Sequence, residues 1–201
     1  MTADSPSVDA LWLEMLHRIS TRAAHELKGA LNGVSVNLEV VRSRSERGDA
    51  QASALSKYAL AAAEQLGSVI TMTDALLALA RPTREPVEIG LVLRRINALL
   101  APAVRADGRR LELEESIDGL GVTSATGNAA RLAIAASLLA ATDGSTHVAC
   151  RMTTDDQEPV LRIECRDRSA LALDQEVAPA VADTGIRMQA EPSAISISFP
   201  R

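Results

Sequence analysis

"RAAHELKGAL", residues 22–31, decides how the first half of the chain is read, because it places a histidine, an acid and a base side by side within a helical pattern. Apolar or small residues return every three or four positions around it, at Leu13, Leu16, Ser20, Ala24, Leu27, Leu31, Val34, Leu38 and Val41, the period of one helix face. Ser5-Pro6 can open this helix with Ser5 as cap, or Ser7 can cap it one turn later. The pattern runs to about Arg44 without a stop signal, too long for a helix that packs alone. The polar segment 42–51, "RSRSERGDAQ", contains Gly48 and marks a turn. A second run follows at Leu55, Ala59, Ala62, Leu66, Val69, Thr73, Leu76 and Ala80, so the two runs predict an antiparallel helical hairpin. A hairpin buries only one flank of each helix. The long apolar stripe therefore predicts a homodimer, two hairpins forming a four-helix bundle.

The 201 residues are 47% hydrophobic but only 1% aromatic, which implies a core of Leu, Ala, Val and Ile. With little aromatic surface to stack bases, and a formal net charge of -5 from 26 acidic against 21 basic residues, nucleic acid is not expected as a partner. Cys150 and Cys165 fall in strand-like runs without a CxxC spacing and read as reduced packing residues. No basic-then-apolar leader and no run near about 18 apolar residues is found, so a cytoplasmic protein without a membrane segment is expected.

"ARPTREPVEI", residues 80–89, carries Pro82 and Pro86 and closes the second helix. We place a boundary there, between a hairpin domain at 5–81 and a second domain at 87–201. Beyond it the period changes repeatedly. A helix is expected over 88–105, a strand through Leu111 and Leu113, and an apolar helix in 127–144 capped by Asn128 and stopped by Gly144. "STHVACRM" (145–152) and "PVLRIECR" (159–166) predict an antiparallel pair joined through "TTDDQE" (153–158). Two final strands are expected at 186–190 and 194–199, while 170–184 has no clear assignment. The fold class is α+β: a helical hairpin followed by a sheet covered by helices, an α/β sandwich.

At 100° per residue His25 falls opposite the apolar stripe, with Arg18, Arg22, Gly29, Asn32 and Val36 on its side and Val40 also turned outward. A glycine in mid-helix costs about 1 kcal/mol relative to alanine, so Gly29 and Gly33 point to close approach by a partner. An exposed neutral imidazole is a nucleophile near pH 7, provided its other nitrogen holds the proton. Glu26 could accept that second N–H, and Arg22 and Lys28 could offset charge on a transferring phosphoryl group. The alternative for each is an ordinary solvated surface group. His17, nearer the apolar side, reads as a packing residue.

"HELKGAL" (25–31) resembles the phosphoacceptor box of two-component sensor histidine kinases, in which the histidine lies on the first of two dimerising helices. The segment 84–117 is similar to the opening of that family's ATP-binding domain, and "RLAIAASLLAA" (131–141) resembles its asparagine-bearing helix. Ser137 and Ala141 stand where the asparagines would be. "IECRDRSAL" (163–171) looks like the strand leading into the family's Asp-x-Gly-x-Gly loop; Asp167 fits the aspartate, but Ser169 and Leu171 replace the glycines that let backbone approach phosphates. "AISISFP" (194–200) resembles the last strand. This layout resembles the dimeric histidine phosphotransferases, kinases in outline with a degenerate ATP domain. The resemblance implies transfer of a phosphoryl group between response-regulator receiver aspartates through His25, with a hybrid histidine kinase as a candidate donor upstream. No cofactor is expected on this chain, and the Mg²⁺ that transfer needs is expected from the receiver's acidic site. Gly29 stands where kinases that dephosphorylate receivers often carry Thr or Asn, so phosphatase activity is not expected. An adaptor or inhibitor that binds a kinase or receiver without being phosphorylated accounts for the degenerate domain equally well. A residual ATP-using enzyme stays open beside it.

Overall fold

The hairpin is built from α1 (Val8–Arg47) and α2 (Ala52–Ala80). The structure, a computed structural model, describes residues 6–47, 52–117, 121–155, 158–167 and 171–201; Ser5, Gly48 and Ser169, and part of the expected 153–158 turn, lie outside them. Ser7 caps α1, its hydroxyl accepting from the Ala10 amide at 3.3 Å. The helices run antiparallel. Asn37 donates to Gln65 at 3.1 Å, and the Arg44 guanidinium lies 5.2 Å from the Tyr58 ring centroid.

Each apolar stripe divides into two series with a seven-residue spacing. On α1, Ser20, Leu27, Val34 and Val41 are half-buried, whereas Ala24, Leu31 and Leu38 are exposed. On α2, Leu55, Ala62, Val69 and Leu76 are turned inward, and Ala59, Leu66, Thr73 and Ala80 are exposed. One series in each helix closes the hairpin; the other has nothing over it within the chain. The residues of α1 that are fully buried are Leu11, Trp12, Met15, Ile19 and Ala23, a second apolar face outside the expected stripe. It packs on the helices of the following half, Ile89–Ala106, Gly127–Thr142 and Val177–Ala182, in one continuous apolar core. Leu13, expected inside, is 68% exposed because it lies on the other side of the helix from that core.

After the irregular segment 81–86 come β1 (Val87–Glu88), α3 (Ile89–Ala106), β2 (Arg110–Leu113), a 3-10 turn at Glu115–Ile117, β3 (Val122–Thr123) and α4 (Gly127–Thr142). β4 (His147–Asp155), β5 (Glu158–Cys165), α5 (Val177–Ala182), β6 (Arg187–Glu191) and β7 (Ala194–Ser198) complete the chain. Glu88 caps α3, its carboxylate accepting from the amides of Gly90 (2.8 Å) and Leu91 (2.7 Å). A Cβ at Gly90 would stand 2.4 Å from the Ile117 carbonyl oxygen, so the cap and the 3-10 turn require glycine there.

The main sheet has the order β2-β4-β5-β7-β6, with β2 parallel to β4 and the other pairs antiparallel. Its period of two gives an apolar face (Val148, Cys150, Met152, Leu161, Ile163, Cys165, Ile195 and Ile197) under the helices and a polar face of ion pairs, Arg151 and Arg162 with Glu164, and Arg162 with Glu191. Both cysteines are free and buried, and burial pushes the Cys150 thiol well above its ordinary pKa. Helix α4 is buried nearly all round, between the sheet and the other helices. Thr126 occupies its N-cap without a side-chain bond. Asn128, expected as the cap, instead sits in the first turn and donates to Asp9 of α1 at 2.8 Å. The 170–184 region contains α5, too short to declare itself by period.

Candidate functional site

Helix α1 carries His25 past the end of the apolar core, where the side chain is 88% exposed. The ring is held by its neighbour: Nδ1 lies 3.3 Å from Glu26 Oε1, through a rotamer that brings adjacent side chains of the helix together. With Nδ1 carrying the proton toward that carboxylate, Nε2 keeps the lone pair. Nε2 has no hydrogen-bond partner among the described residues.

A cleft of about 290 Å³ opens beside the ring. Arg22, His25 and Glu26 form the α1 wall, Leu100, Ala103 and Val104 of α3 the floor, and Asp107, Arg109, Thr142 and Asp143 the opposite side. Arg22 reaches across it, with Nη2 2.7 Å from Asp143 Oδ1. Arg109 donates to the Thr142 carbonyl and to Asp107, so it closes the carboxyl end of α4. The cleft thus has one apolar side and charges of both signs.

Arg18, Lys28 and Asn32 are exposed on α1, and Val36 is 63% exposed. Val40 is half-buried, not turned fully outward. A Cβ at Gly29 would meet nothing within 4 Å, which leaves an open notch one turn beyond His25. Gly33 is different: a Cβ there would come 2.3 Å from Gln65 Nε2, so α2's own side chain fills the space expected for a partner. His17 is exposed, where packing was expected.

Ser137 is 1% exposed and Ala141 is fully buried, both on a helix enclosed by α1, α3, α5 and the sheet. Asp167 is engaged locally, accepting from the Ser145 hydroxyl (2.5 Å) and the Thr146 amide (2.7 Å). These bonds hold its carboxyl well below the usual carboxylate range, Ser145 contributing most. Leu171 is buried, and Ser169 lies outside the described residues. No cluster of three or more His, Cys, Asp or Glu side chains suited to a metal ion occurs among the described residues. Neither is any helix of the described residues long and apolar enough to cross a membrane.

Asp107, Arg109 and Asp143 had no place in the reading of the sequence. One signal for Asp143 was available: an acid at the carboxyl end of a helix opposes the macrodipole and calls for a cation nearby. Here that cation is Arg22, 121 residues earlier.

No family model matches the chain, and no curated protein matches it in sequence. Among solved structures it is similar to the Acinetobacter baumannii histidine kinase AdeS, at 14% identity over 88% of this chain and 97% of that one, with a TM-score of 0.43. This is a loose likeness of an α+β layout and assigns no residue a role.

Proposed function

We propose that this chain is a histidine phosphotransfer protein of a two-component phosphorelay, taking a phosphoryl group from one receiver-domain aspartate and giving it to another through His25. The observation that carries the reading is the exposed imidazole whose Nδ1 is occupied by Glu26, in a residue that lines a charged cleft. In the forward step the Nε2 lone pair attacks the phosphorus of the acyl phosphate. The P–N bond forms as the P–O bond to the aspartate breaks, and the carboxylate leaves with that electron pair. The imidazole becomes a phosphorylated imidazolium, its Nδ1 proton retained and its charge faced by Glu26. The second transfer is the reverse of the first. The divalent cation that the reaction needs is assigned to the receiver, and Arg22 and Lys28 are assigned to offset phosphoryl charge.

The hairpin at 5–81 carries transfer in this reading, and the 87–201 domain braces it without ATP. What supports the latter is the burial of Ser137 and Ala141 and the engagement of Asp167. Incubation with receiver domains phosphorylated by acetyl phosphate tests the reading: acid-labile label should appear on this chain. Tight receiver binding without label would replace it with the adaptor reading.

Two consequences arise here. The uncovered series Ala24, Leu31 and Leu38 on α1 and Leu66 on α2 supports a homodimer, so light scattering at micromolar concentration should give twice the monomer mass. Leu31→Glu should halve it. Gly29→Ala should raise stability by about 1 kcal/mol in thermal melts, because the helix gains propensity and no atom obstructs the methyl. The same methyl fills the notch where a receiver would approach, and transfer should slow about tenfold. A variant both more stable and equally active would remove Gly29 from the docking surface.

A further inference from the structure

The α/β half brings two carboxylates, Asp107 and Asp143, to the cleft that His25 lines, and one of them reaches across to α1. Asp143 follows the last turn of α4 and meets Arg22, three residues before His25 on α1, at 2.7 Å. We propose that Asp143 is a positioning residue for phosphoryl transfer: it holds the Arg22 guanidinium in the cleft beside His25, so that the second domain sets the charge geometry of the first domain's reaction. The proposal rests on the phosphotransfer reading and deepens it.

Three features carry the argument. The bond to Asp143 is made through Nη2 of Arg22, and the fork shape of a guanidinium carries further N–H donors for a second anion. An arginine on a helix surface otherwise samples many rotamers, whereas one anchored in the cleft has lost that freedom before the phosphoryl group arrives. Finally, Asp143 sits at the negative end of α4's dipole, an unfavourable place for a carboxylate that the Arg22 charge offsets. The pair is partly exposed, at 40% and 46% of the two side chains, so an incoming phosphoryl group can reach the guanidinium without the helices moving apart.

The step involved is the one already written: attack by Nε2, with Arg22 facing the non-bridging phosphoryl oxygens. No further proton or electron changes place. Phosphoramidate with the purified protein is a suitable probe, since it brings a small phosphoryl donor to His25 without any receiver; Nε2 displaces ammonia, which leaves protonated from solvent. Asp143→Asn is suited to the test because asparagine is tolerated at helix carboxyl ends and removes only the charge. We expect Asp143→Asn to slow labelling of His25 about fivefold, and Arg22→Ala to slow it at least as much. In the Arg22→Ala background Asp143→Asn should add less than about twofold, because its effect passes through Arg22. Asp143→Glu should recover part of the rate. Unchanged labelling in Asp143→Asn, or an equal loss with and without Arg22, overturns the positioning role. Labelling that follows this pattern while no receiver donates to the protein would sink the relay reading and leave the positioning role standing.

Discussion

His25→Ala is expected to abolish phosphoryl acceptance, lowering label from a phosphorylated receiver by more than about a thousandfold, since the substitution removes the imidazole nucleophile. The fold should be untouched. The ring is 88% exposed, and a surface substitution away from buried features changes stability by about 0.5 kcal/mol or less. The helix should gain slightly, because alanine is the best helix former. The chemistry of the label provides a second check: a phosphoramidate on imidazole is lost in acid and survives base, whereas an acyl phosphate on a carboxylate is labile in base. Wild-type label should therefore be acid-labile and base-stable. Label that persists in His25→Ala, or that base removes, would move the acceptor to another residue. Receiver binding should survive the substitution, because Gly29, Asn32 and Val36 remain on the same exposed side.

The parts of this molecule that are legible in the sequence are those set by neighbours along the chain. The hairpin follows from the helical period, and His25 with Glu26 from adjacency; β4 and β5 follow from alternation on either side of a polar turn. What sequence could not supply is where remote elements meet. The stripe from Leu13 to Val41 merged two heptad series, one facing α2 and one uncovered, because a period of three and four does not say which neighbour each step meets. The second apolar face at Leu11, Trp12, Met15, Ile19 and Ala23 became intelligible only with α4 against it. Asn128 has the right chemistry for a cap, but Asp9, 119 residues earlier, takes its side chain. Two-residue strands such as β1 and β3 are too short to have a period at all. The space above Gly33 is taken by Gln65 of α2, a contact that no local pattern reveals.

The largest stability effect is expected at Arg131, where those remote elements are joined. Its guanidinium, in a residue 4% exposed, donates to the carbonyls of Ala78 (3.3 Å), Leu79 (3.3 Å) and Arg81 (2.6 Å) at the end of α2, and to Asn128 Oδ1 (3.3 Å). It also lies 5.9 Å from the Trp12 ring centroid on α1. Burial draws its pKa below the ordinary arginine value, and the Arg95 charge adds to this. One cation thus closes the carboxyl end of α2, a favourable place for positive charge, while tying α4 to both helices of the hairpin. Arg131→Ala leaves these acceptors without their donor and removes the cation–π contact, a loss of about 3 to 5 kcal/mol in urea denaturation. Arg131→Lys should lose about 2 kcal/mol, since an ammonium keeps the charge but cannot reach three carbonyls in a fork. Trp12 is the single tryptophan, so its fluorescence reports this junction while circular dichroism at 222 nm reports helix throughout. The two signals should coincide in the wild type, where the core is continuous, and separate in Arg131→Ala, with the fluorescence change at lower urea. Coincident transitions in the alanine variant with a loss below about 1 kcal/mol would mean that apolar packing alone holds the hairpin to the sheet domain.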